Sequence, residues 1–378
     1  MKKRNILFLE PFYGGSHRDF ADGLVSESSH KIDLVTLPAR FWKWRMRGAA
    51  LYFYKKVKSF SGYDAVIVTD LMSLADLKAL CGNQFPKSLV YLHENQLTYP
   101  IAPDESIDYQ FGFTNLTTVL AADKVIFNSN IHYNAFFSSL PGFLNMMPEY
   151  HPKWVMGEIK DKSDIIYPGV KPACLYTKDG KTSRDLGSDP PLIVWNHRWE
   201  FDKNPQDFFY AMDKLMERGF RFDMALLGEN FQSKPKEFIE AKKKYGERIR
   251  VYGYVESKPD YMKWLSMGDI VVSTAVQENF GISIVEAVGA GCVPYLPNRL
   301  SYPEIIPTAF HSEFLYSDKD DLVDRLVKFL SGESAGGNSE IRRKAKDLSR
   351  HMESYSWHNM IQDYDDMLEE LCSRFKNL

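Results

Sequence analysis

Apolar residues enter this chain in short, dense runs separated by stretches of helical periodicity. Residues 5–10, 31–37, 64–69, 88–93 and 124–128 read as strands. Runs that are apolar throughout, instead of alternating, belong to strands covered on both faces, so the first half predicts a parallel sheet with helices on either side. Residues 168–191 break the rhythm with Gly169, Pro172, Gly180, Gly187, Pro190 and several charges, which marks an interdomain connection. The rhythm then restarts, with strands over 192–196, 222–227, 249–252 and 270–273 and helices over 205–218 and 257–267. Residues 331–339, rich in Gly and Ser, predict a surface loop, and residues 355–375 a last amphipathic helix.

The expected organisation is therefore α/β: a first domain over residues 1–170, a linker over 171–191, a second domain over 192–350, and a terminal segment over 351–378 free to cross back to the first. In doubly wound folds ligands sit beyond the carboxyl ends of the strands, which makes a cleft between two such domains the expected site. A length of 378 residues with 44% hydrophobic content suits two cores of this kind. The net charge of -3 announces no polyanion partner, so any such contact must come from a local patch. Cys81, Cys174, Cys292 and Cys372 are far apart and lack metal or redox spacing; they read as reduced thiols. Lys2, Lys3 and Arg4 imitate the start of an export signal, but the apolar run over 6–9 ends at Glu10-Pro11. No stretch approaches the roughly 18 apolar residues of a membrane helix, and the expected location is the cytoplasm, with no membrane partner.

The segment Glu278-Asn279-Phe280-Gly281-Ile282-Ser283-Ile284-Val285-Glu286 places two carboxylates on either side of a glycine turn that opens a helix. Such a turn offers unpaired N–H groups and a positive dipole end to a diphosphate, while carboxylates accept hydrogen bonds from sugar diols. An amphipathic helix with one exposed and one capping Glu fits the same spacing. Gly14 and Gly15, after the first strand, permit either a close backbone approach to a ligand or a plain turn whose Ser16 caps the helix. The pattern lacks the dinucleotide fingerprint and the ending of an ATP phosphate loop. Arg198 follows a strand and Lys203 stands at the next helix entrance; together they can neutralise a diphosphate leaving group, or simply join surface salt bridges. His93 at another strand end is either structural or catalytic.

Residues 34–63 carry no acidic residue, while Arg40, Lys43, Arg45, Arg47, Lys55, Lys56 and Lys58 interleave with Phe41, Trp42, Trp44, Tyr52 and Tyr54. Cations among flat rings suit a nucleic-acid backbone with exposed bases. The alternatives are a helix whose rings pack inward while its cationic stems reach solvent, and a membrane-surface helix. Asp318-Lys319-Asp320 offers a superficial metal pair but reads as a helix cap. No catalytic metal is expected, because the side-chain cations can do the leaving-group work.

The glutamate pair, Arg198 with Lys203, the Gly14-Gly15 turn and Tyr355-Ser356-Trp357 before the last helix resemble the retaining GT-B glycosyltransferases, over nearly the whole chain. Narrower strings are similar to the tRNA-queuosine α-mannosyltransferase family: Leu9-Glu10-Pro11-Phe12-Tyr13-Gly14-Gly15-Ser16-His17, Thr36-Leu37-Pro38-Ala39-Arg40, Tyr91-Leu92-His93-Glu94-Asn95-Gln96-Leu97-Thr98-Tyr99-Pro100 and His197-Arg198-Trp199-Glu200. The resemblance implies a GT-B fold, two Rossmann-like doubly wound domains facing a cleft. It implies transfer of mannose from GDP-mannose to queuosine at the wobble position of the aspartate tRNA, with no cofactor beyond the donor.

By position, the resemblance puts Glu278 on mannose hydroxyls and the backbone of Asn279, Phe280, Gly281, Ile282 and Ser283 on sugar and phosphate. Glu286 takes the ribose diol, Arg198 and Lys203 the departing diphosphate, with Gly14 and Gly15 near the phosphates. His93 stands beside the reacting sugar, and Gly228, Tyr252 and Tyr254 cradle guanine. The acceptor side comprises His17, Arg40, Trp42, Trp44, Arg45, Arg47, Asn95 and Gln96. The rivals are a GT-B enzyme acting on a lipid-linked or soluble glycan, and a silent tRNA-binding protein; a nicotinamide oxidoreductase lacks its fingerprint.

Overall fold

The computed structural model describes residues 2–100, 106, 108–171, 190–228, 235–333 and 337–373. Most of the expected linker, including Cys174, and part of the expected loop over 331–339 lie outside the described residues. Two units emerge, Met1–Val170 with Trp357–Leu378, and Lys171–Ser356.

In the first unit the order is β1 (Asn5–Tyr13), α1 (Gly15–Glu27), β2 (Lys31–Pro38), α2 (Trp42–Lys56), β3 (Ala65–Thr69), α3 (Leu74–Cys81), β4 (Lys87–Leu92), α4 (Tyr109–Ala121), β5 (Lys124–Phe127), α5 (Asn130–Asn145), α6 (Val155–Lys160) and β6 (Ser163–Ile165). The six strands form one parallel sheet in the order β2-β1-β3-β4-β5-β6. Its two faces divide the apolar runs residue by residue. Leu7, Leu9, Val66, Val68, Val90 and Leu92 point into a core shared with Ala49, Phe53, Leu116 and Phe136, while Ile6, Phe8, Ala65, Ile67, Leu89 and Tyr91 point into another with Phe20 and Leu24. Trp357, Tyr364 and Leu368 belong to this second core, so the C-terminal helix covers the same sheet face as α1.

The second unit contains β7 (Leu192–Trp195), α7 (Pro205–Glu217), β8 (Asp223–Leu227), α8 (Lys236–Tyr245), β9 (Ile249–Gly253), α9 (Lys258–Met267), β10 (Ile270–Val272), α10 (Ile282–Gly289), β11 (Val293–Pro297), α11 (Tyr302–Ile305), α12 (His311–Phe314), β12 (Leu315–Tyr316), α13 (Lys319–Ser331) and α14 (Gly337–His351). Its parallel sheet runs β12-β11-β10-β7-β8-β9. The C-terminal helix of the chain, α15 (Trp357–Ser373), belongs to the first unit.

Each sheet reverses its winding once, between β1 and β3 in the first unit and between β7 and β10 in the second. At such a switch point the connections leave in opposite directions and open a crevice at the carboxyl ends of the strands.

Several local details differ from the expectation. β1 continues past Glu10 and Pro11 to Tyr13, because it pairs with β2 through a register shift between Glu10 and Tyr13. α1 starts on Gly14 with no side-chain cap, so Ser16 is not a capping residue. Asp318 does cap a helix, accepting from the N–H groups of Asp320 and Asp321. Cys81, Cys292 and Cys372 are free thiols. Among the described residues no helix is long and apolar enough to cross a membrane.

Candidate active-site clusters

The switch point of the second unit carries a buried ion cluster. Phe201–Lys203 forms one 3-10 turn after β7, and the loop after β10 lies beside it. The two are stitched together: Thr274 Oγ1 donates to the Lys203 and Asn204 carbonyls at 2.9 and 2.8 Å, and the N–H groups of Val276 and Gln277 donate to the Asp202 carbonyl at 2.8 and 3.3 Å. This brings Lys203 Nζ to 2.6 Å from the Gln277 carbonyl, 3.2 Å from Glu278 Oε2 and 3.3 Å from Asp202 Oδ2. Burial pulls the pKa of Lys203 down, but Glu278 first and Asp202 next raise it, against the opposing charge of Arg198, and the net shift is upward. The lysine is thus a fixed ammonium with one carboxylate, Glu278, partly open to solvent.

Glu278 precedes the turn into α10. Gly281 adopts a left-handed conformation, φ 97°, which a side chain would strain, and its carbonyl accepts from Ile284 and Val285 at 2.9 and 3.1 Å. The amides of Ile282 and Ser283 precede the first intrahelical bond and form the positive end of the helix. Asn196, at the end of β7, holds this turn by donating to the Ser283 carbonyl at 2.7 Å. The Phe280 ring is buried against Tyr355, so Phe280 has only backbone to offer a ligand. Glu286, buried on α10, pairs with α9, where Lys258 Nζ lies 2.5 Å from its Oε1.

Arg198 keeps 46% of its side chain exposed and lies 3.3 Å from Glu200. Its charge reaches the buried His197, whose pKa is held well below the ordinary range by burial, then by Lys203 and Arg198. Gly228 approaches the His197 carbonyl so closely that a Cβ there would sit 2.0 Å from it. Tyr252 is packed edge-on to Trp199 and its hydroxyl donates to the Phe238 carbonyl at 3.0 Å, whereas Tyr254 is exposed. Of the expected base-cradling pair, Tyr254 is therefore the ring open to solvent.

The first unit holds a second cluster at its own switch point. Glu10, fully buried within β1 where its register shifts, accepts at Oε1 from the Phe12 N–H (2.8 Å) and from Thr69 Oγ1 across the β1/β3 reversal (3.2 Å). His17 Nδ1, on α1, lies 3.3 Å from the same oxygen. The His17 ring stacks on His93 with centroids 3.9 Å apart and planes tilted 32°. His93 is pinned through its backbone: its N–H donates to Asp70 Oδ1 at 2.8 Å, and its carbonyl accepts from Asn128 at 3.0 Å. Burial pulls His17 down, yet the Glu10 carboxylate overrides it and lifts the pKa to about 9. Burial, then His17 and His132, hold His93 well below the ordinary range. Glu10, His17 and His93 offer ligand atoms within 4.8 Å of one another, and His17 and Glu10 meet there as an ion pair.

Two residues expected on the acceptor side are buried. His17 is part of this stack and faces Glu10. Asn95 is buried too: its Oδ1 accepts from Leu97 and Thr98, each at 3.0 Å, and its amide lies 2.9 Å from His132 Nε2, so it shapes the turn after β4. Gln96 stays half-buried and donates to Glu94. Gly14 is a packing glycine, where a Cβ would meet that of Ala39 at 2.4 Å, and Gly15 takes a φ of 51° at the helix start.

The basic aromatic segment also departs from its inward-packing alternative. α2 buries Met46, Ala49, Ala50 and Phe53, and turns its large rings outward, with Trp44 76% and Phe41 69% exposed. Phe41 takes a left-handed φ of 56°, a strain that keeps its ring at the surface. Trp42 lies against Phe111 of α4, and Arg47 donates to Gln110 at 2.9 Å. Arg45 turns back onto the Pro38 carbonyl at 3.2 Å, while Arg40, Lys43 and Arg47 remain exposed.

Sequence reasoning missed Glu10, Asp70, Asp202 and Lys258 as cluster members. The signal for the first two was present: each is a carboxylate directly after an apolar run, beside the winding reversal.

Comparison with known proteins places these clusters in context. Residues 5–170 match the family model described as tRNA-queuosine alpha-mannosyltransferase N-terminal, and residues 179–351 match that of glycosyl transferases group 1. The tRNA-queuosine alpha-mannosyltransferase of Drosophila melanogaster is 36% identical over 333 residues, covering 86% of this chain and 87% of that protein. Among solved structures, sucrose-phosphate synthase from Thermosynechococcus elongatus superposes with a TM-score of 0.72 at 15% identity, covering 98% of this chain and 100% of that one. Anabaena HepE in complex with UDP-glucose gives 0.66 at 16% identity, with 97% and 100% covered. At these identities the structural likeness speaks for the fold.

Proposed function

The chain belongs to the tRNA-queuosine alpha-mannosyltransferase family, as a GT-B glycosyltransferase, and from that premise we propose that it moves mannose from GDP-mannose to queuosine at the wobble position of the aspartate tRNA, with retention at the anomeric carbon. The observation that carries the donor half of this reading is the Lys203–Glu278 contact of 3.2 Å at the β7/β10 reversal. A pre-charged ammonium, with Arg198 adding a second cation, suits the charge that builds on a departing nucleoside diphosphate. Glu278, partly open to solvent and polarised by Lys203, accepts from hexose hydroxyls, and the amides opening α10 take sugar or phosphate oxygens. Glu286 serves the ribose diol, and Gly228 and Tyr254 border the base. In the first unit, His93 is the residue assigned a direct contact with substrate. With the acceptor hydroxyl and leaving group on one face of the sugar, a diphosphate oxygen takes the hydroxyl proton, and no protein nucleophile is required.

The acceptor half is supported by α2, whose exposed cations and outward rings suit phosphates and unstacked bases. A buried set of rings would have favoured the glycan rival, and the exposed Trp44 favours RNA instead. The test is label transfer from GDP-mannose, GDP-glucose and UDP-sugars, with tRNA containing or lacking queuosine. Transfer from GDP-mannose only to queuosine-containing tRNA is expected. Transfer to a lipid-linked or soluble glycan without tRNA would select the rival enzyme, and binding without transfer the silent module.

A further inference from the structure

Two imidazoles stacked 3.9 Å apart cannot both carry charge without strong repulsion, so something must decide which ring is the cation. The surroundings are unequal. His17 meets Glu10 from β1 at 3.3 Å, and its proton is further favoured by Asp70, after β3, whose own carboxyl burial lifts to about 7, and by Glu94, after β4. His93 meets the rings of Phe20 from α1 and Tyr91 from β4 at 5.1 and 5.0 Å, and a proton on it is opposed by burial first and then by His17 and His132 from α5. Glu10 is itself fixed by two donors at Oε1, while its buried Oε2 has no hydrogen-bond partner among the described residues.

We propose that Glu10 and His17 are positioning residues for His93: the Glu10–His17 ion pair places a cation against the back of the His93 ring, so that His93 meets the substrate as a neutral imidazole. A neutral ring keeps one acceptor nitrogen and one donor, and can therefore bind a sugar or acceptor hydroxyl that an imidazolium could address only as a donor. The raised pKa of His17 and the depressed pKa of His93 agree with this division. The backbone anchors from Asp70 and Asn128 hold His93 in register with the stack. This inference rests on the reading that His93 meets substrate, and neither Glu10 nor His17 is itself in contact with it.

The test is histidine-selective NMR of the full chain, in the absence of substrates, from pH 5.5 to 9.5, with resonances assigned through His17→Gln and His93→Gln. In the wild type, one ring stays protonated past pH 8 and its neighbour stays neutral to pH 5.5. In Glu10→Gln the first loses its proton by pH 8, and the second begins to titrate between pH 5 and 7. Sugar transfer then gains an acid limb: kcat/KM of Glu10→Gln falls about tenfold between pH 7.5 and 6, whereas the wild type changes little. His17→Gln, which removes the cation directly, shifts the same limb and covers the case in which Glu10→Gln does not fold. A uniform loss at every pH, or two neutral rings in the wild type at pH 7.5, would overturn the proposal. The titration needs no acceptor, so absence of queuosine-dependent transfer would fail the functional reading and leave the ring charges measurable.

Discussion

Replacing Lys203 by Met tests whether the second unit's ion cluster is built as described. The substitution keeps the length of the side chain and removes an ammonium held at 2.6, 3.2 and 3.3 Å from three oxygens. Asp202 is fully buried and Lys203 is the cation within 4 Å of it, so the variant leaves a carboxylate with no countercharge in the interior, and strips Glu278 of its partner as well. Breaking a buried pair in this way costs roughly 3–5 kcal/mol. In a unit the size of Lys171–Ser356 that corresponds to a fall in melting temperature of about 6–20 °C. Adding Asp202→Asn removes the orphan charge and should return about 1–3 kcal/mol, without restoring transfer, since the leaving-group cation is still missing. Melting by calorimetry and transfer assays on the two variants give the comparison. A Lys203→Met protein that melts within about 2 °C of the wild type, or that is further destabilised by Asp202→Asn, refutes the reasoning.

Other consequences concern each unit separately. Arg198→Ala, at a half-exposed position, should melt like the wild type while losing about a hundredfold to a thousandfold in transfer, equivalent to roughly 2.7–4 kcal/mol of barrier, as read by kcat. On α2, Lys43→Ala with Arg47→Ala should weaken tRNA binding and reduce the slope of log affinity against log salt by about 0.7–0.9 for each phosphate no longer neutralised, with GDP affinity unchanged by calorimetry. Trp44→Ala should cost about 1–3 kcal/mol of tRNA binding if a base stacks there, measured in a filter-binding assay. His17 binds its proton more tightly folded than unfolded, so its contribution to stability is complete below pH 6.5 and disappears as pH rises through about 9. Chemical denaturation between pH 6.5 and 9 should show that decline, and His17→Gln should flatten it.

Much of the fold is legible in the sequence because strands buried on both faces must be apolar throughout, and β1, β3, β4, β7 and β8 are such runs. β11 is hidden because Pro294 interrupts its run, and β6 and β12 because they span only three and two residues. Lys203 and Glu278 are legible together, since both follow strands that a doubly wound order makes neighbours. The partner of Glu286 is not: Lys258 comes from a different helix, and no spacing along the chain encodes that meeting. Asn95 and Tyr252 look ligand-facing in the sequence, which locates a loop but not the direction of its side chains, and both side chains pack against the protein. For α2 the direction is encoded in small residues. Met46, Ala49, Ala50 and Phe53 follow helical spacing and define the buried stripe, which leaves Trp44, Tyr52 and Tyr54 outside it.

The central claim is that this chain passes a mannosyl group to queuosine in tRNA, and its most direct measurement is incorporation of radiolabel from GDP-mannose into paired tRNA preparations that differ only in queuosine. The account predicts label in the queuosine-containing tRNA alone, lost in Arg198→Ala. Equal labelling of both preparations, or labelling of neither alongside transfer from another sugar nucleotide to a different acceptor, would contradict it.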